Sequence, residues 1–385
     1  MSAVAARQPR PVTDPVRVMV VDDSVVARGL MARWIDEEPS LAVVGTLRTG
    51  KLAVEQIEAL EPDVVVLDIE MPEMDGLTAL PLLLKARPGV QIVMASTLTR
   101  RNAEISLKAL SLGAADYVPK PESNSGVSTS PEFRRDLVAK VRALGARGKT
   151  TARSPHISRP DAPVKIERSA ASPLVHKSEV SLANMRRWSS SVPRILAIGS
   201  STGGPQALAK FFATVGPAAK RVPIVVTQHM PATFTAILAE NLGKAAGLPS
   251  AEGRDGEVLK PGQIYVAPGG KHMIVKKSSD GMKIALTDGP PVNFCKPAVD
   301  PLFDSLAQAY GSAVLATVLT GMGNDGGKGA VHISDAGGSV IAQDEATSVV
   351  WGMPQAVVQN KACCAVLPLD QLASKVAQLL KGERP

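Results

Sequence analysis

Cysteine is scarce in this 385-residue chain, with Cys295, Cys363 and Cys364 making up the whole complement. Two are adjacent and none shows a C-x-x-C spacing, which argues against a zinc site, a redox couple or a disulfide framework. Each is expected to be a buried structural thiol, since free cysteine mostly behaves as a small hydrophobe. Long apolar runs are missing too. No stretch approaches the roughly 20 residues needed to cross a bilayer, and residues 1–14 contain no apolar segment of signal-peptide length. The expectation is a cytoplasmic chain with no membrane insertion and a short disordered lead. Histidine is also sparse, five residues in all, so any role given to one can be tested residue by residue.

Charge of one sign is absent from the parts expected to fold. The net charge is +7, but residues 144–191 hold nine Lys/Arg against three Asp/Glu, a surplus of six. That segment is rich in Ser, Pro and Ala and has no sustained apolar period, so it reads as a basic flexible tether. The surplus therefore belongs to a solvated linker and implies no nucleic-acid partner. At 45% hydrophobic and 21% charged, the remainder is ordinary globular material, long enough for two domains. The expected bounds are 16–144, a linker over 145–191, and 192–382.

In the first domain, short β-branched runs at 17–21, 41–46, 63–67, 91–95 and 115–118 alternate with helical stretches. Their nearly continuous apolarity suits parallel strands buried on both faces, and five βα units make a doubly wound α/β domain. In such sheets function gathers beyond the carboxyl ends of the strands. There the sequence places Asp22 and Asp23, then Asp68, then Ser96 and Thr97, then Lys120. Three converging carboxylates need a cation, and hard oxygen ligands of this kind suit Mg²⁺. A lysine and a hydroxyl arriving from neighbouring strands are what an added phosphoryl group needs. The plainer alternative for any one of these residues is a solvated surface charge, but four strand ends together argue against it.

Three segments carry a resemblance: V-V-D-D-S at 20–24, L-D-I-E-M-P-E-M-D-G at 67–76 and Y-V-P-K-P at 117–121. They resemble the signatures of the response-regulator receiver domain. The resemblance implies that Asp68 is phosphorylated and that Mg²⁺ is held by Asp23 with Asp22, Asp68 and the backbone of Glu70. It further implies that Lys120 contacts the phosphoryl group and that Ser96 and Tyr117 switch on phosphorylation.

The second domain opens with a strand at 194–198 that runs into G-S-S-T-G-G-P at 199–205. Glycines flanking a serine at a strand-to-helix junction permit a sharp turn that exposes Oγ, as in G-x-S-x-G with Ser201 central. The following helix would bring N–H groups toward a developing oxyanion. The rival for this motif alone is a phosphate-binding loop, although G-x-G-x-x-G and the Walker lysine are lacking. For a base, His156 and His176 fall in the linker and His332 in a helical pattern. His272 follows what looks like a hairpin, and His229 ends the strand at 222–228, on the same edge as Ser201. Topology favours His229 over His272. A third apolar strand at 313–319 leads into a glycine-rich turn bearing Asp325, the carboxylate with the best claim to orient an imidazole. Asp300, Asp304, Asp335 and Asp344 lie in helical or loop contexts. The backbone of Met322 in that turn is a candidate oxyanion donor.

G-S-S-T-G-G-P, Q-H-M-P at 228–231, T-G-M-G-N-D-G at 320–326 and E-A-T-S-V-V-W-G-M-P at 345–354 resemble the bacterial chemotaxis protein-glutamate methylesterase family. The order receiver, linker, esterase is also that family's. The resemblance implies Ser201 as nucleophile, His229 as base, Asp325 as its orienter, and Thr202 and the Met322 amide as support. It implies a C-terminal, mostly parallel α/β esterase domain that needs no cofactor, Mg²⁺ belonging to the receiver. The expected substrate is the cytoplasmic domain of chemoreceptors and the expected phosphodonor a chemotaxis histidine kinase, with deamidation of receptor glutamines as a second activity. Two rivals stand beside it: a response regulator with a DNA-binding or scaffold output, for which no helix-turn-helix or basic folded face is visible, and a nucleotide-binding output domain.

Overall fold

The computed structural model describes residues 14–97, 99–121, 130–152 and 185–384. The chain divides into two compact units between Lys149 and Thr150. The expected lead at 1–14, most of the basic linker, and with it His156 and His176, lie outside the described residues.

The first unit alternates strand and helix: β1 Val16–Val21, α1 Val25–Asp36, β2 Leu41–Leu47, α2 Gly50–Leu60, β3 Val64–Asp68, α3 Gly76–Ala86, β4 Gln91–Thr97, α4 Arg100–Ser111, β5 Asp116–Lys120 and α5 Pro131–Ala152. The strands form one parallel sheet in the order β2-β1-β3-β4-β5. Every residue of β3 is buried, as its unbroken apolar run requires of a central parallel strand. Local chemistry starts the helices. Ser24, Thr49, Asp75 and Thr99 each accept an amide hydrogen bond three residues ahead, satisfying donors that a helix start leaves orphaned. Gly76 cannot be replaced cheaply, because a Cβ there would meet the Asp68 carbonyl oxygen at 2.0 Å. That close approach brings the start of α3 against the end of β3. Helix α5 continues to Ala152, eight residues beyond the expected domain end at 144. Gly145 lies inside it where a Cβ would strike Val16.

The second unit comprises β6 Ile195–Ser200, α6 Gly204–Ala219, β7 Ile224–Gln228, α7 Ala232–Ala246, β8 Ser250–Glu252, β9 Ile264–Val266, β10 His272–Ser278, β11 Gly281–Thr287, α8 Val299–Tyr310, β12 Val314–Val318, α9 Gly327–Asp335, β13 Ser339–Gln343, α10 Met353–Gln359, β14 Ala365–Leu367 and α11 Leu369–Leu380. Seven strands pair in parallel in the order β14-β13-β12-β6-β7-β9-β8, and β10 and β11 form a separate antiparallel hairpin. Strands β6, β7, β12 and β13 are buried throughout, with Leu302, Phe303 and Leu306 of α8 packed into the same core. The chain leaves β6 toward β7 on one side and returns on the other side with β12. The switch point, where ligands gather in such sheets, is therefore at the carboxyl end of β6. Before β6, the chain is already anchored to this unit: the Arg186 amide donates to the Cys363 carbonyl at 2.9 Å and its guanidinium reaches Asp335 at 2.9 Å. Among the described residues no helix is long and apolar enough to cross a membrane.

Candidate functional site

In the first unit the carboxyl edge gathers the predicted acidic residues. Asp22, Asp23 and Asp68 offer carboxylate oxygens within 4.8 Å of one another. Asp22 and Asp68 are buried, whereas Asp23 is exposed. Lys120, the last residue of β5, sends Nζ to Asp68 Oδ1 at 2.5 Å and Asp22 Oδ2 at 3.0 Å. Burial pushes the Asp68 carboxyl up to about 6, against the pull of Lys120. Burial works to lower the Lys120 ammonium, but the two carboxylates outweigh it and its pKa is raised. One lysine between two buried carboxylates leaves negative charge uncompensated. That donor set, all hard oxygen, fits Mg²⁺, with the exposed Glu70 on the loop directly after β3. Ser96 is buried inside β4. Tyr117 is buried in β5, its hydroxyl held well above the ordinary phenol range by burial and by Asp116 and Asp136. The Lys140 ammonium of α5 donates to the Tyr117 carbonyl at 2.6 Å and sits 5.1 Å over its ring.

In the second unit three adjacent strands deliver the other set. Register pairs Ser200 with Gln228 across β6 and β7, so Ser201 and His229 leave neighbouring strand ends side by side. The turn after β6 is shaped by glycine: Gly203 has φ 74°, and a Cβ on Gly204 would lie 2.0 Å from Gln228 Oε1. Ser200 is fully buried with Oγ donating to Gln228 Oε1 at 2.6 Å, and Gln228 Nε2 donates to the Ser201 carbonyl at 2.9 Å. Ser201 is half-buried, and its Oγ makes no hydrogen bond among the described residues. The amides of Thr202 and Met322 are likewise uncommitted there, and buried Thr202 Oγ1 has no partner.

His229 Nε2 lies 2.7 Å from Asp325 Oδ2. Asp325 is buried and accepts further bonds from the Val299 amide at 2.5 Å, the Asp300 amide at 3.0 Å and Asn293 Nδ2 at 3.3 Å. Burial alone would raise its pKa, but the imidazole and the amides at the start of α8 prevail and hold it below the usual carboxylate range. Burial tends to lower the His229 pKa, yet the Asp325 bond and the contact with Cys295 push it up to about 10. Asp300 is shifted the opposite way from Asp325, upward, by burial chiefly and by the neighbouring Asp325 charge.

The remaining histidines are otherwise engaged. Buried His272 at the start of β10 has Nε2 3.0 Å from the Pro290 carbonyl and Nδ1 accepting from the Ala298 amide at 3.2 Å, so backbone takes both ring nitrogens. His332 pairs with Asp304 at 2.6 Å on the surface of α9. The segment 345–354 is hydrogen-bonded to the β12 side of the site. It braces the turn after β12: Val350 accepts from the Gly321 amide at 3.0 Å, and the amides of Gly352 and Met353 donate to the Gly321 carbonyl.

One expectation needs correction. Cys363 and Cys364 are buried as expected, but Cys295 is half-buried, with Sγ 3.3 Å from His229 Nδ1. Cys295 and Asn293 carried no signal in the sequence, because their partners His229 and Asp325 are brought to them only by the tertiary fold.

Comparison with known proteins adds two family matches: "CheB methylesterase" over residues 196–376 and "Response regulator receiver domain" over residues 18–129. A protein of Rhodopseudomonas palustris named protein-glutamate methylesterase/protein-glutamine glutaminase of group 2 operon is 54% identical over 375 residues, covering 96% of each chain. A Paramagnetospirillum magneticum relative, protein-glutamate methylesterase/protein-glutamine glutaminase 1, is 48% identical and covers 98% of this chain and 99% of its own. The crystal structure of the Thermotoga maritima CheB methylesterase catalytic domain aligns with 41% identity and a TM-score of 0.47, covering 49% of this chain and all of that one.

Proposed function

This chain belongs to the family of protein-glutamate methylesterase/protein-glutamine glutaminases, and on that premise we propose that Ser201, His229 and Asp325 hydrolyse glutamate γ-methyl esters on chemoreceptor cytoplasmic domains. Ser201 Oγ attacks the ester carbonyl while His229 takes its proton. The tetrahedral oxyanion is met by N–H groups at Thr202 and Met322, whose freedom from other partners suits them to it. Collapse of that intermediate expels methanol, which receives the proton from His229, and leaves an acyl-serine. Water, deprotonated by the same imidazole, releases glutamate and restores the serine. A glutamine side chain follows the same route with ammonia leaving. Asp325 holds the imidazole through Nε2, so Nδ1 is the nitrogen left to exchange the proton.

Control resides in the receiver. Asp68 takes a phosphoryl group from a histidine kinase; Asp22, Asp23, Asp68 and the backbone of Glu70 would hold Mg²⁺, which would supply neutralisation of oxygen charge there. Lys120 then exchanges a carboxylate partner for the phosphoryl oxygens, and Ser96 and Tyr117 respond. The observation that carries the esterase reading is the 2.7 Å imidazole–carboxylate bond at the sheet edge where Ser201 leaves β6. Its test is methanol release from a methylated receptor cytoplasmic fragment by the full chain, with and without a small phosphodonor. Release should rise with phosphodonor and fall by a factor of about 10⁴ or more in Ser201→Ala. Equal release by the variant would sink the triad, and release indifferent to phosphodonor would sink the control.

A further inference from the structure

Nδ1 of His229 already has a partner. Cys295 Sγ lies 3.3 Å from it while Nε2 is committed to Asp325, and Asp325 is itself fixed by two α8 amides. The ring therefore cannot turn without breaking its carboxylate bond. Nδ1 carries one lone pair or one proton, never both. A thiol donating to a neutral imidazole uses that lone pair, and a thiolate facing an imidazolium fills the site with a proton. In either state Nδ1 cannot accept from Ser201 Oγ.

The turn bearing Cys295 is built to hold it there. Val292 and Cys295 exchange backbone hydrogen bonds at 2.9 and 3.1 Å. The two central residues, Asn293 and Phe294, have φ 52° and 64°, the doubly left-handed geometry in which Asn-Gly is favoured. A phenylalanine in that conformation is an outlier that its surroundings must impose. Asn293 ties the turn to two neighbouring carboxylates, its Nδ2 lying 3.3 Å from both Asp325 Oδ1 and Asp300 Oδ2.

We propose that Cys295 is a positioning residue for the base: its thiol occupies His229 Nδ1 at rest, and proton transfer from Ser201 requires Sγ to let go. This rests on the triad reading above. The titratable groups around His229 are Asp325 from the turn after β12 and Cys295, with Asp300 beyond Asp325. Burial works to lower the imidazole, but Asp325 and Cys295 outweigh it and push it up to about 10. Cys363 and Cys364 are buried, and burial pushes Cys363 up to about 11 and raises Cys364 as well, so neither competes for a thiol reagent.

The test uses the full chain labelled with ¹⁵N-histidine, as wild type, Cys295→Ala and Cys295→Ser, and follows the His229 ring nitrogens with pH alongside methanol release. Serine keeps a hydrogen-bonding group beside Nδ1 but removes the sulfur. In both variants the His229 midpoint should fall by about one to three pH units, and the acid limb of kcat/KM should fall with it, so that the variants outperform wild type near pH 6. Iodoacetamide supplies a second readout. The thiolate displaces iodide to form a thioether, and the adduct beside Nδ1 should lower wild-type release at least tenfold while leaving treated Cys295→Ala unchanged. Coincident titration curves in all three proteins, or an alkylated wild type as active as the untreated one, would overturn the proposal. Undiminished release by Ser201→Ala would instead remove the triad beneath it, an outcome distinguishable because the nitrogen titrations do not depend on turnover.

Discussion

Both sites lie beyond the carboxyl edge of a parallel sheet and both centre on a buried carboxylate, but the two carboxylates are treated oppositely. Asp325 accepts from an imidazole, two helix-start amides and an asparagine, and its charge is held in place. Asp68 accepts from one lysine and the following amide, and burial leaves it raised to about 6. On the reading proposed above, the difference separates two tasks. The carboxylate proposed to orient the imidazole is surrounded by donors. The carboxylate proposed to take the phosphoryl group is left short of them, so that a cation or a phosphoryl group with its own ligands would improve on the resting state.

The comparison breaks most visibly at Asp325. Asp325→Asn keeps the shape but offers His229 an amide, and release of methanol should drop by about 10³ to 10⁴; a drop of less than tenfold would mean that the imidazole needs no orienter. In the receiver, Lys120→Ala leaves Asp22 and Asp68 buried together without a cation. Hydrogen exchange of the β1 and β3 amides at pH 8 should then report opening easier by about 3 to 5 kcal/mol, and unchanged protection would show that water or neighbouring dipoles carry the charge. The smallest effect concerns pH. Because the folded pKa of Asp68 is raised, protonation favours the fold: that contribution is fully present below the ordinary carboxylate pKa and is lost as pH rises through about 6. Mg²⁺ needs the ionised form, so its affinity should be about tenfold weaker at pH 5 than at pH 7 by calorimetry. An affinity flat across that interval would put the metal on Asp22 and Asp23 alone.

The fold class and the strand-end residues were legible because parallel strands buried on both faces are continuous apolar runs, and because the chemistry of such sheets collects at one edge. Strands β8, β9 and β14 were not, each being three residues long, too short for any period to register. The extension of α5 to Ala152 was obscured by Gly145, whose place inside the helix depends on Val16, more than a hundred residues away. Cys295 was misjudged for a related reason: exposure and partner are set by an approach across 66 residues, and composition speaks only to the average thiol.

The adjacency of β7, β6 and β12 decides where this enzyme can accept new sequence. An extra residue within β6 would shift its pairing by one position and send every following side chain to the opposite face of the sheet, carrying Ser201 away from His229 however well the rest packed. The same residue inserted in the two-residue tip between β10 and β11 enlarges a surface loop, where each doubling of length costs only about 0.6 kcal/mol. Added length is thus expected to be tolerated at the hairpin tip, while the three central strands are confined to substitution.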